Sequence, residues 1–425
     1  MRILILVDCY YPSPKSSAKL VHDLGIEFHR RGHSVVVLTP NGGVREPLTI
    51  SMEDDLLIAR VRAGNVKSWN KALRALAEAR LSPNLWRRAK TFLRENRCDL
   101  ILFYSPSIFL GPLVRKLKVL WGCPAYLILR DIFPEWAVDA GILRRGLIHR
   151  LFSRMEAHQY KTADLIAVQS PGNLEYFARA FPRNQFRLKI LYNWALLNEP
   201  ELPDTCWRTK LGLENKFVFV YGGNIGVAQD MHNLLTLAAR LAPRSDIHFL
   251  LVGSGSEVAR LKNSIAAHGL RNIYVLPAVS QNEYLSMVSE FDAGLISLHA
   301  RFKTHNIPGK LLSYLYWGLP VLASVNPGND LFDLLNRNRA GFCFVNGDHQ
   351  SLMAAAQQLV DDPDLRFDMG RNARRLLEEI FSVQVAADQI LAHLQDAGFV
   401  FPRALASSPI LTKRQAQETA FARQS

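Results

Sequence analysis

Two segments gather side chains suited to a negatively charged ligand. The first is Lys303-Thr304-His305-Asn306-Ile307-Pro308-Gly309-Lys310-Leu311-Leu312-Ser313-Tyr314. Pro308 and Gly309 fit the start of a helix, which places Lys310 in its first turn, where the helix dipole disfavours a cation. An anion beside Lys310 explains that conflict; a side chain reaching into solvent is the competing explanation. In the second segment, Tyr221 ends an apolar run and Gly222-Gly223-Asn224-Ile225-Gly226 leads towards a helix beginning near Asp230. Glycines at such a turn let backbone N–H groups approach phosphate oxygens, and a diphosphate is the natural guest. A tight strand–helix turn without a ligand uses the same residues. The spacing is not G-x-G-x-x-G, and the next strand ends Val252-Gly253 without a ribose-binding acid, which disfavours nicotinamide chemistry. Ser254 and Glu257 in Gly253-Ser254-Gly255-Ser256-Glu257 have capping-box spacing, so a structural role is favoured there.

The first half offers carboxylates and hydroxyls. Arg130, Asp131 and Glu135 follow an apolar run directly, at the edge of any cleft built there, where a carboxylate can orient or deprotonate a hydroxyl. An Arg–Asp pair tying the loop to a neighbouring helix is the alternative. Tyr10, Tyr11, Ser16 and Ser17 lie on the first loop and suit a sugar, although the prolines there also make a rigid loop. H-E-x-x-H, EF-hand and Walker A patterns do not occur, and the lone Asp-x-Asp, Asp362-Pro363-Asp364, falls between late helices. No metal requirement is expected.

These residues need elements to position them. Ile3–Val7, Ser34–Leu38, Leu100–Phe103, Tyr126–Leu129 and Leu165–Val168 are short apolar runs separated by enough chain for helices, including one from Ala18 to about Arg31 that stops at Gly32. The rhythm restarts with Phe217–Tyr221, Ile247–Val252, Ile273–Leu276, Gly294–Ser297 and Pro320–Ala323. Such alternation predicts α/β architecture, with two doubly wound parallel sheets facing each other across a ligand cleft. The predicted organisation is an acceptor-binding domain over 1–196, a donor-binding domain over 205–380, a helix over 381–400 packing back on the first domain, and a flexible tail over 401–425. Asn198–Asp204, polar and proline-marked, is the boundary, and Ser351–Val360, Pro363–Ile380 and Val383–Leu394 read as helices.

Composition narrows the classes. The 425 residues are 48% hydrophobic and 21% charged, which excludes a disordered or collagen-like chain. Charged residues or prolines interrupt every apolar run before the roughly 18–20 residues that span a bilayer. The N-terminal run meets Asp8 too early for a signal peptide, so a cytoplasmic protein is expected. Five scattered cysteines suggest neither a disulfide framework nor a zinc site. The net charge of +13 lies entirely in residues 1–200, which hold 30 Lys+Arg against 17 Asp+Glu. Arg60 to Arg97 carries 11 basic and two acidic residues interleaved with Trp69, Leu73, Leu76, Leu81, Leu85, Trp86 and Phe92. This reads as basic amphipathic helix, suited to an anionic membrane surface or to a solvated face. Nucleic acid is not expected as a partner, because no recognition motif accompanies the charge.

Taken in order, the Tyr-Tyr-Pro loop, Arg31-Gly32-His33-Ser34-Val35, Tyr221-Gly222-Gly223-Asn224-Ile225-Gly226, and Pro308-Gly309-Lys310 followed by Gly318-Leu319-Pro320-Val321 resemble family 4 retaining glycosyltransferases over about residues 1–395. The run Arg130-Asp131-Ile132-Phe133-Pro134-Glu135-Trp136-Ala137-Val138-Asp139-Ala140-Gly141 is similar to the bacterial surface-polysaccharide branch with WbuB-like N-acetyl-L-fucosaminyl transferases. The resemblance implies a GT-B fold and transfer without a metal or other cofactor from a nucleotide-sugar substrate, with a UDP-linked N-acetylated deoxyhexose as donor. It further implies a polyprenyl-diphosphate-linked saccharide acceptor for O-antigen or capsule, and a peripheral place on the inner face of the plasma membrane. Donor contacts would come from Gly222, Gly223, Asn224, Gly226, Gln229, Lys303, Pro308, Gly309, Lys310 and Ser313. The sequence departs from the family where a Glu-x7-Glu element is usual: His305 and Ser313 occupy those positions. Asn224 and Gln229 stand where many members carry Arg and Lys on the diphosphate. A GT-B nucleotide-sugar epimerase and a catalytically silent sugar-nucleotide-binding partner are the alternative readings.

Overall fold

The computed structural model describes residues 1–13, 15–41, 43, 45–62, 80–105, 107–139, 141–183, 185–197, 206–302 and 307–401. The expected Asn198–Asp204 boundary, Lys303, His305 and almost all of the proposed tail lie outside them.

The first sheet is built from β1 (Arg2–Leu6), β2 (Ser34–Asn41), β3 (Leu48–Glu53), β4 (Leu56–Arg62), β5 (Leu100–Tyr104), β6 (Ala125–Ile128), β7 (Leu165–Val168) and β8 (Leu188–Ile190). Their order is β3-β4-β2-β1-β5-β6-β7-β8, with every described pairing parallel except β3 against β4. β5, β6 and β7 are buried at every residue, as sandwiching between helices on both faces requires. The second sheet comprises β9 (Phe217–Asn224), β10 (Ile247–Ser254), β11 (Ile273–Leu276), β12 (Ala293–Ser297), β13 (Val321–Val325) and β14 (Gly341–Val345). It is parallel throughout, in the order β11-β10-β9-β12-β13-β14. In each sheet the chain reverses its winding beside the first strand, β1 or β9, and the crevice outside the carboxyl ends at such a point is where α/β sheets take ligands.

The sequence reading overlooked four strands, β3, β4, β8 and β14. All lie at or next to a sheet edge, where half-exposed residues blur the apolar run. One consequence corrects the basic segment: Arg60 and Arg62 belong to β4, not to a helix. Arg60 is held by both oxygens of Glu53 across the β3–β4 hairpin, an ion pair with a structural role.

The chain returns to its first half at the end. The helix Val383–Asp396 buries Val383, Ala386, Ala387, Ile390 and Leu394 in the core that also holds β1 and the helix Ser16–Arg30. Arg31 pairs with Asp388 and donates to Gln384 O at 2.8 Å, and Tyr126 Oη lies 2.8 Å from His393 Nδ1. Beside this return, Ala195 N donates to Phe381 O and Val383 N donates to Ala195 O, so the two segments that cross between the sheets are paired.

Candidate active site

A cleft of about 870 Å³ lies between the two sheets. Its first wall takes Ser16 and Ser17 from the start of the helix Ser16–Arg30, Tyr104 from the end of β5, and Arg130, Asp131 and Trp136 from the segment after β6. Its second wall takes Asn224 from the end of β9, Gln229, and Pro308, Gly309 and Ser313 around the helix Lys310–Tyr316. Gln169 on the first wall donates to Ile307 O on the second at 2.9 Å, and Gly172 N donates to Asp330 Oδ2 at 2.9 Å.

The glycine turn differs from its sequence reading. β9 does not stop at Tyr221 but runs through Gly222 and Gly223 to Asn224, in register with β10 to Ser254. A Cβ on Gly222 would strike the Tyr284 ring, and its N–H is taken by Tyr314 Oη at 3.3 Å. Gly222 is therefore a packing glycine, without a free amide for phosphate. Gly253 and Gly255 are glycines because Gly223 O and Ile225 O occupy the space of their side chains. The expected capping box is also absent: the next helix is Val258–Ala267, Glu257 is its N-cap, and Ser254 lies too far upstream to cap it. Gly223 and Asn224, in contrast, are exposed, and Gly223 has φ +109, a conformation natural to glycine. Asn224 Nδ2 donates to Gln229 Oε1 at 2.9 Å, joining the two residues, and Gly226 begins the turn Val227–Gln229 that separates the strand from the helix Met231–Leu241.

Lys310 lies behind this wall. Its Nζ sits 3.4 Å from the centroid of the Tyr221 ring and its Cε lies under Gly223. Among the described residues it has no hydrogen bond to an acceptor and no carboxylate partner, and loss of solvent holds its ammonium well below the usual lysine range. The face of the Tyr221 ring is the electron-rich surface it meets. Ser313, one turn on, faces the cleft with a hydroxyl that has no partner among the described residues.

On the opposite wall Arg130 is buried, donates to Leu191 O at 2.5 Å and Tyr192 O at 3.1 Å, and stacks over Trp194. Both terminal nitrogens hold the segment crossing between the sheets, so Arg130 positions this wall, and its buried Nε has no hydrogen-bond partner among the described residues. Asp131 remains: burial pushes its carboxyl above the ordinary range, Arg130 opposes that shift and Asp8 adds to it. Glu135 does not line the cleft. Its carboxylate accepts from Arg145 and meets His149 Nε2, both at 2.8 Å. Tyr10 is likewise engaged, its hydroxyl 2.8 Å from His22 Nδ1, and Tyr11 stacks on the same imidazole at the surface. Ser17 Oγ lies 3.3 Å from Cys9 Sγ.

Cleft residues that the sequence reading passed over include Tyr104, Gln169 and Asn326, each the last residue of a parallel strand or the first beyond it. Strand ends are a usable signal for them. Asn193 and Trp194 come from the crossing segment, for which no motif exists. Among the described residues no three of His, Cys, Asp and Glu converge as metal ligands.

Comparison with known proteins agrees with this geometry. A family model described as glycosyl transferase 4-like domain matches residues 17–194, and one described as glycosyl transferases group 1 matches residues 204–376. The protein is a glycosyltransferase with the GT-B fold. Among curated relatives, the probable glycosyltransferase WbjE of Pseudomonas aeruginosa is 23% identical over 70% of this chain and 75% of its own length. The O-antigen chain mannosyltransferase C of Escherichia coli is 22% identical over 91% of this chain and 96% of its own. The solved structure of Anabaena HepE with UDP and glucose superposes with a TM-score of 0.66 at 17% identity, covering 93% of this chain and all of that one.

Proposed function

We propose that the protein transfers a sugar, with retention of configuration and without a metal ion, from a nucleoside diphosphate to a lipid-linked saccharide in bacterial surface-polysaccharide synthesis. The observation that carries this reading is Lys310, a partly buried amine with neither a hydrogen-bond acceptor nor a carboxylate among the described residues, under the exposed Gly223 at the edge of the cleft. A diphosphate on Gly223, Asn224 and Lys310 would supply the missing charge, and the amine would take a proton as it bound. Charge growing on the departing diphosphate is the largest electrostatic demand of the reaction, and Lys310 meets it. Ser313 would hydrogen-bond the ribose, more weakly than a carboxylate does. The acceptor hydroxyl, oriented by Asp131, would attack from the face the diphosphate leaves, with a donor phosphate oxygen taking its proton.

Support for the donor and pathway is by likeness. HepE was solved with UDP and glucose, and the E. coli relative acts on O-antigen chains. A UDP-linked N-acetylated deoxyhexose and a polyprenyl-diphosphate-linked acceptor follow from the Arg130–Gly141 resemblance. Lys303 is proposed as a second diphosphate cation. A thermal-shift panel of UDP, GDP, TDP, CMP and NAD on wild type and Lys310→Ala tests the site, because a ligand of the native state raises its melting temperature. UDP should stabilise wild type selectively and leave Lys310→Ala unmoved. Equal shifts in both proteins would remove Lys310 from the site, and no shift with any nucleotide would sink the proposed nucleoside diphosphate site.

A further inference from the structure

The helix Leu147–Thr162 and the loop before it expose more apolar surface than a solvated face needs. Ile142 is 61% exposed, Leu147 82%, Ile148 61% and Leu151 51%. Leu147 and Leu151 are one helical turn apart, with Ile148 beside them, so the three form a single stripe. The opposite side of the helix is already spent on the interior, where Glu156 and Tyr160 are buried and Phe152 packs against the core. Single exposed leucines are ordinary, whereas a contiguous stripe marks a contact surface. Arginines border this one. Arg150 and Arg154 make a parallel row on the helix, and Arg144 and Arg145 precede it. Arg144, Arg150 and Arg154 have no carboxylate partner among the described residues.

We infer that Ile142, Leu147, Ile148 and Leu151, with Arg144, Arg150 and Arg154, form a docking surface for an anionic lipid bilayer. Apolar side chains flanked by unpaired guanidinium groups match acyl chains beneath a layer of phosphates, and a helix of this kind lies in the interface with its apolar face entering the headgroup boundary. No described helix is long and apolar enough to cross a membrane, so contact would be made along the surface. The patch is coupled to the cleft. Glu135 ties Arg145 and His149 of the patch to the loop whose next residue, Trp136, lines the cleft wall. Docking therefore brings the acceptor side of the cleft to the lipid surface, which rests on the reading of the acceptor as lipid-linked.

The helix Leu81–Glu95 from the other basic segment is the natural control. Its Leu81, Leu85, Ala89, Phe92 and Leu93 face the core, and Lys116 lies over the half-buried Trp86, so it offers the bilayer charge but no apolar stripe.

The test is co-flotation of the full chain with vesicles of phosphatidylcholine alone or mixed with phosphatidylglycerol. Wild type should float only with the anionic vesicles, less so as salt rises. The triple variant Leu147→Ser, Ile148→Ser, Leu151→Ser and, separately, Arg144→Glu, Arg150→Glu, Arg154→Glu should each bind at least about tenfold more weakly. An Arg87→Ala, Lys90→Ala variant on the control helix should lose about twofold or less. Circular dichroism and UDP-induced thermal shift, unchanged in all variants, establish that they fold. Undiminished flotation of both triple variants overturns the proposal, as does a wild type that never floats. A wild type that light scattering finds dimeric, with a triple variant monomeric yet still floating, would reassign the stripe to a second copy of the chain. Flotation is independent of catalysis: vesicle binding without sugar transfer to a lipid-linked acceptor would sink the lipid-linked acceptor and leave the surface standing.

Discussion

Leu81–Glu95 and Leu147–Thr162 are two helices of the same half, both rich in arginine and both carrying aliphatic and aromatic side chains, and they are turned opposite ways. The first drives its apolar side into the core under β1, β2 and β5 and leaves Arg87, Lys90 and Arg94 outside. The second packs Phe152, Glu156 and Tyr160 inward and still leaves leucine and isoleucine in solvent on its outer side. An amphipathic pattern specifies that one side differs from the other. It does not specify which side meets the protein.

The comparison is most exposed to a core deletion. Leu85→Ala should cost about 2–5 kcal/mol of stability in urea unfolding, while Leu147→Ser should stay within about 0.5 kcal/mol. Similar costs at both positions would erase the distinction between inward and outward leucines.

A second distinction lies in the polar inner side of Leu147–Thr162. Burial raises the Glu156 carboxyl to about 8 from an ordinary 4.5, despite the Tyr160 hydroxyl that donates to it at 2.7 Å. Between those pH values the folded chain keeps a proton that the unfolded chain releases. The contribution is therefore whole below pH 4.5 and is lost as the pH rises towards 8. Glu156→Gln keeps a neutral acceptor for Tyr160, so its melting temperature should track wild type near pH 5 and exceed it at pH 8. A constant offset between the two profiles would mean that Glu156 does not carry the proton.

The smallest effect concerns charge alone. Arg87→Ala with Lys90→Ala should leave the melting temperature unmoved within experimental scatter and weaken vesicle binding by about twofold or less. Loss of all vesicle binding in this variant would return the membrane contact to the Arg60–Arg97 segment.

The cleft shows a similar division between residue types and their orientation. Arg130, Asp131 and Glu135 stood together in the sequence as one acceptor-handling group, yet the fold separates them. Arg130 holds the carbonyls of Leu191 and Tyr192, Glu135 is taken by Arg145 and His149, and of the two carboxylates only that of Asp131 lines the cleft. Gly222, chosen for phosphate, is required by the Tyr284 ring, while its neighbour Gly223 is the one turned outward. Lys310 was singled out by a local conflict with the helix dipole, and the structure finds no anion for it among the described residues.

Local chemistry fixed what could be read along the chain. Apolar runs with helical lengths between them dictate parallel β/α winding, and Pro308-Gly309 before Lys310 with Gly318 after it dictates where that helix starts and stops. Those signals are carried by neighbours in sequence, a few residues apart. Tertiary structure decided which side of each helix is outside, which arginine finds a carbonyl and which glycine faces a ring. Those outcomes depend on partners such as Leu191 for Arg130 and Tyr284 for Gly222, more than 60 residues away, whose approach no local pattern encodes.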